Sequence, residues 1–101
     1  MGFDRSQLEF RDFKPEYETR QLIADLMEGL QSLAPSDSAM NVAFRKGRGV
    51  VEATCRIASI AGTFVAKTIS DTPIKAMQAL DEKIRLQLED WKKHRFVGDD
   101  D

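Results

Sequence analysis

This chain has little of what the chemistry of a small enzyme or metal protein requires. It contains one cysteine, Cys55, and one histidine, His94, among 101 residues. A single cysteine cannot close an internal disulfide, which fits a reducing compartment. One histidine with cationic neighbours offers no metal-ligand spacing. No run of about eighteen apolar residues occurs, so no segment is predicted to span a membrane.

Enzyme motifs are lacking as well. Cys55 alternates in step with apolar neighbours and is predicted to be a small core residue, since catalysis by it would need a base nearby. The pair Gly47 and Gly49 is too short for a phosphate-cradling loop and does not open a helix. Adjacent acids such as Asp81 and Glu82 diverge on a helix. The sequence therefore predicts a protein that is not an enzyme, with no cofactor, no metal and no small-molecule substrate.

Charge is distributed unevenly along the chain, although the formal total is only −2. Residues 1–38 hold four basic and eight acidic side chains, whereas residues 39–70 hold five basic side chains and one acidic. Residues 71–95 hold six basic and five acidic side chains, and residues 99–101 are all aspartate. The average charge gives no nucleic-acid signal, but the basic middle offers a candidate binding surface.

The first part of the chain predicts one strand and one helix. Residues 8–13 alternate at their start, with Leu8 and Phe10 on one side, which indicates a short strand. Pro15 suits the first turn of a helix that spans residues 16–33. That helix is predicted from apolar residues at helical spacing: Leu22, Ile23, Leu26, Met27, Leu30 and Leu33.

The middle of the chain alternates between apolar and polar side chains in three segments. Such alternation is typical of half-buried strands joined by hairpin turns. The predicted elements follow in this order: a strand at 40–45, a turn at 46–49, a strand at 51–57, a turn at 59–62 and a strand at 64–69. The two glycines of the first turn, Gly47 and Gly49, are free to take a positive φ angle.

The stretch 70–94 carries the clearest pattern in the chain. Asp71 or Thr72 is predicted to cap a helix that has Pro73 within its first turn. Five apolar side chains then recur on one helical face: Met77, Leu80, Ile84, Leu88 and Trp91. We expect Trp91 to anchor the end of the helix against a sheet, while Leu86 points the opposite way into solvent.

The resulting order, β-α-β-β-β-α, predicts one α+β domain over residues 1–97, followed by an acidic disordered tail at 98–101. A right-handed crossover would make the first two strands parallel, and two hairpins would make the other pairs antiparallel. One apolar stripe per helix predicts that both helices pack on one face of a four-stranded sheet. The other face should then meet solvent with these side chains: Ala43, Arg45, Glu52, Thr54, Arg56, Val65 and Lys67.

Several local motifs of the second half resemble the ribosome hibernation promoting factor family, short cold-shock and stationary-phase proteins that bind the small ribosomal subunit. The resemblance is carried by the strands at 51–57 and 63–68. It continues in the pattern Ala-Met-x-x-Leu-x-x-Lys-Ile-x-x-Gln-Leu at 76–88 and in Lys-Lys-His at 92–94. The first helix departs from the family, in which it is rich in lysine, because here Arg20 is its one base.

The resemblance implies contact with ribosomal RNA through basic side chains, in the channel used by messenger and transfer RNA. Binding a shaped RNA by its phosphates needs charge and geometry rather than base readout. The candidate RNA-binding residues are Arg45, Lys46, Arg48, Lys75, Arg85, Lys92 and Lys93. Glu82 and Glu89 share the outer face of the last helix, so an ordinary solvated face of mixed charge is the alternative interpretation.

Two functions follow from these observations. The first is a non-catalytic, cytoplasmic, ribosome-associated factor that binds small-subunit RNA and inhibits translation by occlusion. The alternative is a protein-interaction or regulatory module on the same fold, without RNA binding, whose partner docks on the exposed sheet face or the acidic first helix. A continuous positive surface from Arg45 to Lys93 would favour RNA, and a basic set interrupted by Glu82 and Glu89 would favour the module.

Overall fold

Four strands lie side by side in chain order and two helices cover one side of them in the computed structural model, which describes the backbone of residues 6–99 and the side chains of residues 6–94. The order β-α-β-β-β-α and the α+β class are confirmed. The elements are β1 (Ser6–Arg11), α1 (Tyr17–Leu33), β2 (Ala39–Gly47), β3 (Val50–Ser59), β4 (Gly62–Ser70) and α2 (Pro73–Asp99).

The pairing of the strands is also as predicted. β1 and β2 are parallel, with Phe10 beside Phe44, and the connection between them is α1. β2, β3 and β4 are antiparallel neighbours joined by two hairpins. Antiparallel strands can be joined by two residues, whereas a parallel pair needs a longer crossover, so the connection lengths and the pairing agree.

Alternation along each strand separates a buried face from an open face. In β2, Met40, Val42 and Phe44 are buried, while Asn41 and Arg45 between them are exposed. Both helices place their apolar stripes on the buried face. The hydrophobic core at that interface consists of Ile23, Met27, Leu30, Met40, Val42, Phe44, Val51, Ala53, Cys55, Ile57, Phe64, Ala66, Ala76, Met77, Leu80, Ile84 and Leu88.

The other side of the sheet, called here the open face, carries the alternate side chains of all four strands and has no helix on it. The seven side chains predicted for it are the alternate ones of β2, β3 and β4. Gln7, Glu9 and Arg11 of β1 share that face. The prediction that the helices leave this face to solvent is confirmed.

The two helix starts differ in how well the sequence predicted them. α2 begins at Pro73, and the Thr72 hydroxyl accepts a hydrogen bond from the Lys75 backbone N–H at 3.2 Å, which is the predicted cap. α1 begins at Tyr17 rather than at residue 16, because Glu16 keeps an extended backbone, with φ −64° and ψ 158°. Pro15 therefore precedes the cap and does not lie in the first turn.

The C-terminal end of α2 overlaps the segment that was predicted to be an acidic tail. The helix continues to Asp99, and Asp100 and Asp101 lie outside the described residues. An acidic disordered segment at 98–101 stays a prediction.

β4 is an edge strand of the sheet, and α2 reaches over that edge. The Gln87 side-chain amide donates a hydrogen bond to the Val65 carbonyl at 2.8 Å. Two residues further along the strand, the Lys83 ammonium donates to the Lys67 carbonyl at 3.4 Å. Side chains of the helix thus satisfy backbone groups that have no neighbouring strand.

The β2–β3 hairpin closes on a two-residue turn, Arg48-Gly49, between the paired residues Gly47 and Val50. Both turn residues have a positive φ, 54° at Arg48 and 79° at Gly49, as a type I′ turn requires. Of the two glycines that are free to take a positive φ, Gly49 does so, whereas Gly47 belongs to β2. An arginine instead occupies a conformation that costs an ordinary L-residue roughly 1–2 kcal/mol.

Replacing Arg48 with asparagine is expected to stabilise the domain by about 0.5–1 kcal/mol, because Asn-Gly is the preferred pair in this turn. Urea unfolding would show this as a higher midpoint. The control Gly49→Ala should lower the midpoint, since alanine is strained at a φ of 79°. An Arg48→Asn midpoint at or below that of the wild type would contradict strain at this position.

Candidate nucleic-acid interface

The seven candidate RNA-binding residues lie in two places on the domain. Arg45, Lys46 and Arg48 belong to the β2–β3 hairpin and are called here the hairpin cluster. The other four candidates belong to α2 and are called here the helix set: Lys75, Arg85, Lys92 and Lys93. At 1.5 Å per residue, the helix set extends about 27 Å along its axis.

Strand directions bring one member of the helix set to the same end of the domain as the hairpin. The turn after β2 lies at the end of the sheet where β4 also finishes, because β4 is antiparallel to β3. α2 begins three residues after β4, so Lys75 lies at this end. Lys92 and Lys93 lie toward the opposite end. The structure therefore joins Lys75 to the hairpin end and separates the two distal lysines from it.

Arg45 and the helix set also face different sides. Arg45 lies on the open face, two residues after Ala43 and paired in register with Glu52. Lys75 and Lys93 are exposed on α2, which covers the other side of the sheet. Among the side chains of residues 6–94, the cations of the hairpin and of the end of α2 thus do not form one continuous positive surface.

Ion pairs occupy some of the candidate cations. Arg85 donates to Asp81 at 3.0 Å, Lys75 lies 3.6 Å from Asp71, and Arg45 lies 3.9 Å from Asp12. All are at least partly exposed, and such pairs contribute about 0–1 kcal/mol, so they leave the charges available to a ligand. Within residues 6–94, the other four candidates have no ion-pair partner: Lys46, Arg48, Lys92 and Lys93.

The outer surface of α2 is mixed, as the alternative interpretation expected. Glu82 and Glu89 are exposed between its cations. Leu86 is 62% exposed on the same side, which confirms the predicted facing of the helix. Together with Gln78 and Arg85 these side chains line a shallow groove. Its combination of three carboxylates, from Asp81, Glu82 and Glu89, with one arginine and one leucine shows no preference for polyanions.

Three further cations lie on the open face and were not among the candidate site residues: Arg11, Arg56 and Lys67. The period-two alternation had already placed Arg56 and Lys67 on this face. Arg11 depends on the parallel register, which sets it directly beside Arg45. A hydrogen bond from Arg11 to Glu9 at 3.0 Å raises the pKa of Arg11, whose guanidinium is charged at neutral pH in any case.

Two like charges side by side are unfavourable in a sheet unless something offsets them. Arg11 has Glu9 on its own strand, and Arg45 has Asp12, whose backbone takes a positive φ of 70°. Asp12 and Arg48 are the non-glycine residues with a positive φ among residues 6–99, and both lie at this end of the sheet. Unusual backbone conformations often cluster at functional sites.

α1 presents a surface of the opposite sign. Glu18, Asp25 and Glu28 are exposed along the helix, and within the described residues none of them forms an ion pair. Tyr17 and Leu22 on the same helix are 71% and 52% exposed. This acidic surface would repel an RNA and would suit a basic protein.

The remaining chemically notable side chains are structural. Burial raises the pKa of the Cys55 thiol to about 12, so the thiol is protonated and unreactive at neutral pH. Trp91 packs edge-on against Phe64 of β4 at 6.1 Å, as predicted for a helix anchor. Residues 6–94 hold no group of three metal-ligating side chains. No helix in the described part of the chain is long and apolar enough to cross a membrane.

Comparison with known proteins bears on the fold. No family model matches the chain, and no curated protein matches its sequence. A solved ribosomal subunit interface protein from Coxiella burnetii superposes with a TM-score of 0.72 at 18% identity, covering 87% of this chain and 97% of that one. The N-terminal domain of protein Y from Thermus thermophilus superposes with a TM-score of 0.64 at 12% identity, covering 87% and 94%.

The resemblance inferred from the motifs is confirmed at the level of the fold. Both neighbours are matched over nearly their whole length, so the likeness extends to the complete β-α-β-β-β-α unit. The chain therefore has the fold of a ribosomal subunit interface protein and of the N-terminal domain of protein Y.

Proposed function

We propose that this protein is a non-catalytic, ribosome-associated factor of the cytoplasm that binds RNA of the small subunit and inhibits translation by occlusion, as part of a stress response. The observation that carries the proposal is the fold shared with a ribosomal subunit interface protein over 87% of the chain. Fold alone does not specify function, which also depends on a binding site.

The hairpin cluster supplies that site. Arg45, Lys46 and Arg48 are exposed and project from the end of a rigid two-stranded hairpin. Arginine presents a planar fork that suits phosphate oxygens, and phosphate contacts position a protein on a nucleic acid. Arg48 has a positive φ, which strains the backbone of a residue with a side chain. Its presence at this position is consistent with a role outside folding. The helix set adds further cations for a larger RNA surface.

Occlusion is a mechanism of inhibition that needs no chemistry at the binding site. Within the described residues, the Cys55 thiol is buried in the core, whereas His94 is exposed on α2 with its Nδ1 2.9 Å from the Asp90 carbonyl oxygen, so the two do not form a nucleophile–base pair. A domain of this size, inserted where messenger or transfer RNA would lie, needs only to bind in order to inhibit. No cofactor is required for that mechanism.

Co-sedimentation with purified small subunits tests the proposal directly. We expect binding at low salt that weakens steeply as salt rises, because each neutralised phosphate releases counterions. The slope of log affinity against log salt should be negative, with roughly 0.7–0.9 for each phosphate contacted. A protein that fails to sediment with small subunits even at low salt would overturn the assignment.

The acidic surface of α1 supports a second candidate, an interaction module that binds a basic protein. Glu18, Asp25 and Glu28 are free of ion pairs within the described residues, and exposed Tyr17 beside them could add apolar contact. Binding to small subunits that persists at high salt and is abolished by Asp25→Lys would favour this alternative. It would then indicate contact with a ribosomal protein rather than with RNA.

A further inference from the structure

The two sides of the domain differ in charge: the open face of the sheet has more cations than carboxylates, and the helix side has fewer. Within residues 6–70, the open face carries four cations, Arg11, Arg45, Arg56 and Lys67, against the carboxylates of Glu9 and Glu52 on the strands and of Asp12, which lies 3.9 Å from Arg45. The helices, counted over residues 17–33 and 73–94, carry six cations against seven carboxylates. A polyanion approaching this domain is attracted by the sheet side and not by the helix side.

The open face also has a shape that admits a ligand. Ala43 and Thr54 are paired in register at its centre, and their small side chains leave a shallow depression of about 310 Å³. Asn41 and Arg56 border the depression and are paired in the next row of the sheet, and Glu9 of β1, the register partner of Ala43, also lines it. Val65 of β4 is the register partner of Arg56 in the same row, and its side chain is 56% exposed. A strand of another molecule can therefore lie close to the backbone of the central strands.

Arg56 is the cation on this face that has no ion-pair partner among residues 6–94. Lys67 is paired with Glu52 at 3.2 Å and Arg11 with Glu9 at 3.0 Å, while Arg45 has only the distant Asp12. Arg45 and Arg56 lie on opposite sides of the depression, on neighbouring antiparallel strands. A phosphate-bearing chain could contact one guanidinium at each side, with bidentate bonds at both.

We infer that the open face of the sheet, with Arg45 and Arg56 as phosphate contacts on either side of the Ala43–Thr54 depression, is the surface that binds RNA, and that it takes a single-stranded segment. This inference rests on the proposed function and specifies its site. A broad, flat sheet face cannot enter the deep, narrow major groove of an RNA duplex, whereas a single strand can lie on it. The amide of Asn41 and the apolar Val65 are positioned to meet the bases.

A pair of variants with the same change in net charge tests which side binds. Arg45→Gln with Arg56→Gln removes two cations from the open face, and Lys75→Gln with Lys93→Gln removes two from the helix side. We expect the sheet variant to lose about tenfold in affinity for small subunits and for polyuridine RNA at low salt, with the salt slope reduced by about 1.4. The helix variant should lose less affinity than the sheet variant, because its two cations lie far apart along α2.

A loss in the helix variant equal to or greater than that in the sheet variant would overturn this inference and leave the proposed function standing. A wild-type protein that does not bind small subunits would instead overturn the proposed function, and the inference with it. Circular dichroism and urea midpoints verify that all variants are folded.

A change of shape without a change of charge gives an independent test. Ala43→Tyr fills the central depression, and tyrosine is favourable in strands, so the fold should tolerate it. We expect weaker binding of polyuridine and of small subunits by Ala43→Tyr, and unchanged binding by the control Gln78→Tyr on the outer side of α2. Unaltered binding by Ala43→Tyr would overturn the placement of RNA over the depression.

Discussion

Replacing Leu80 with alanine is expected to lower the free energy of unfolding by about 2–5 kcal/mol. Leu80 is fully buried on the face of α2 that covers the sheet. The substitution would therefore leave a cavity that water cannot reach. The same change at Ile84, one turn further along and also fully buried, should cost a similar amount. Small domains have total stabilities of about 5–15 kcal/mol, so either variant would be severely weakened. Urea unfolding followed by circular dichroism measures the effect.

Leu86→Ala provides the matched control on the same helix. Its side chain is 62% exposed on the outer side of α2, so its removal should change the free energy of unfolding by no more than about 0.5 kcal/mol. A loss at Leu86 as large as that at Leu80 would mean that α2 is rotated relative to the sheet.

Reversing the charge of the hairpin cluster is expected to produce the largest functional effect. The triple variant Arg45→Glu, Lys46→Glu and Arg48→Glu replaces attraction to phosphates by repulsion at three adjacent positions. We expect affinity for small subunits to fall about a hundredfold or more at low salt. The three side chains are exposed, so the fold should be retained, and circular dichroism checks this. Sedimentation with small subunits over a salt series gives the affinity.

Two comparisons make that experiment decisive. Reversal of Lys75, Arg85 and Lys93 changes the net charge equally and, because these residues are spread along α2, should weaken binding less. Reversal of the acids Glu16 and Asp25 should not weaken binding and should raise it where RNA passes near α1. Binding that ignores the hairpin cluster but depends on the acids of α1 would point to a ribosomal protein as the partner.

The architecture was predictable because each element is encoded locally. Alternation in β3 at Val51, Ala53, Cys55 and Ile57 needs no knowledge of the partner strands to reveal which face is buried. The three- and four-residue steps of α2 identify its core side in the same way. Once one crossover helix joins the first two strands, the handedness of such connections makes that pair parallel. Order, pairing and helix placement therefore followed from short-range patterns.

The candidate site was predictable only in part, because a surface depends on neighbours distant in sequence. Arg11 lies beside Arg45 through the register of a parallel pair, and nothing local specifies that register. Conversely, Lys75 and Lys93 appear close in a sequence window but are separated by the length of a helix. The positive φ of Arg48 reflects closure of the hairpin on the two residues Arg48 and Gly49, whereas the sequence predicted only a turn somewhere within 46–49.

The hydrogen bonds from Gln87 and Lys83 to the carbonyls of β4 have a consequence for how this protein behaves at high concentration. An uncovered edge strand is a template on which strands of other chains can add, leading to swapped or fibrous assemblies. An incoming strand at β4 would have to displace both donors before it could pair with the Val65 and Lys67 carbonyls. α2 thus protects the sheet from growth at this edge, and Val65 and Ile69 can remain exposed there without recruiting further copies.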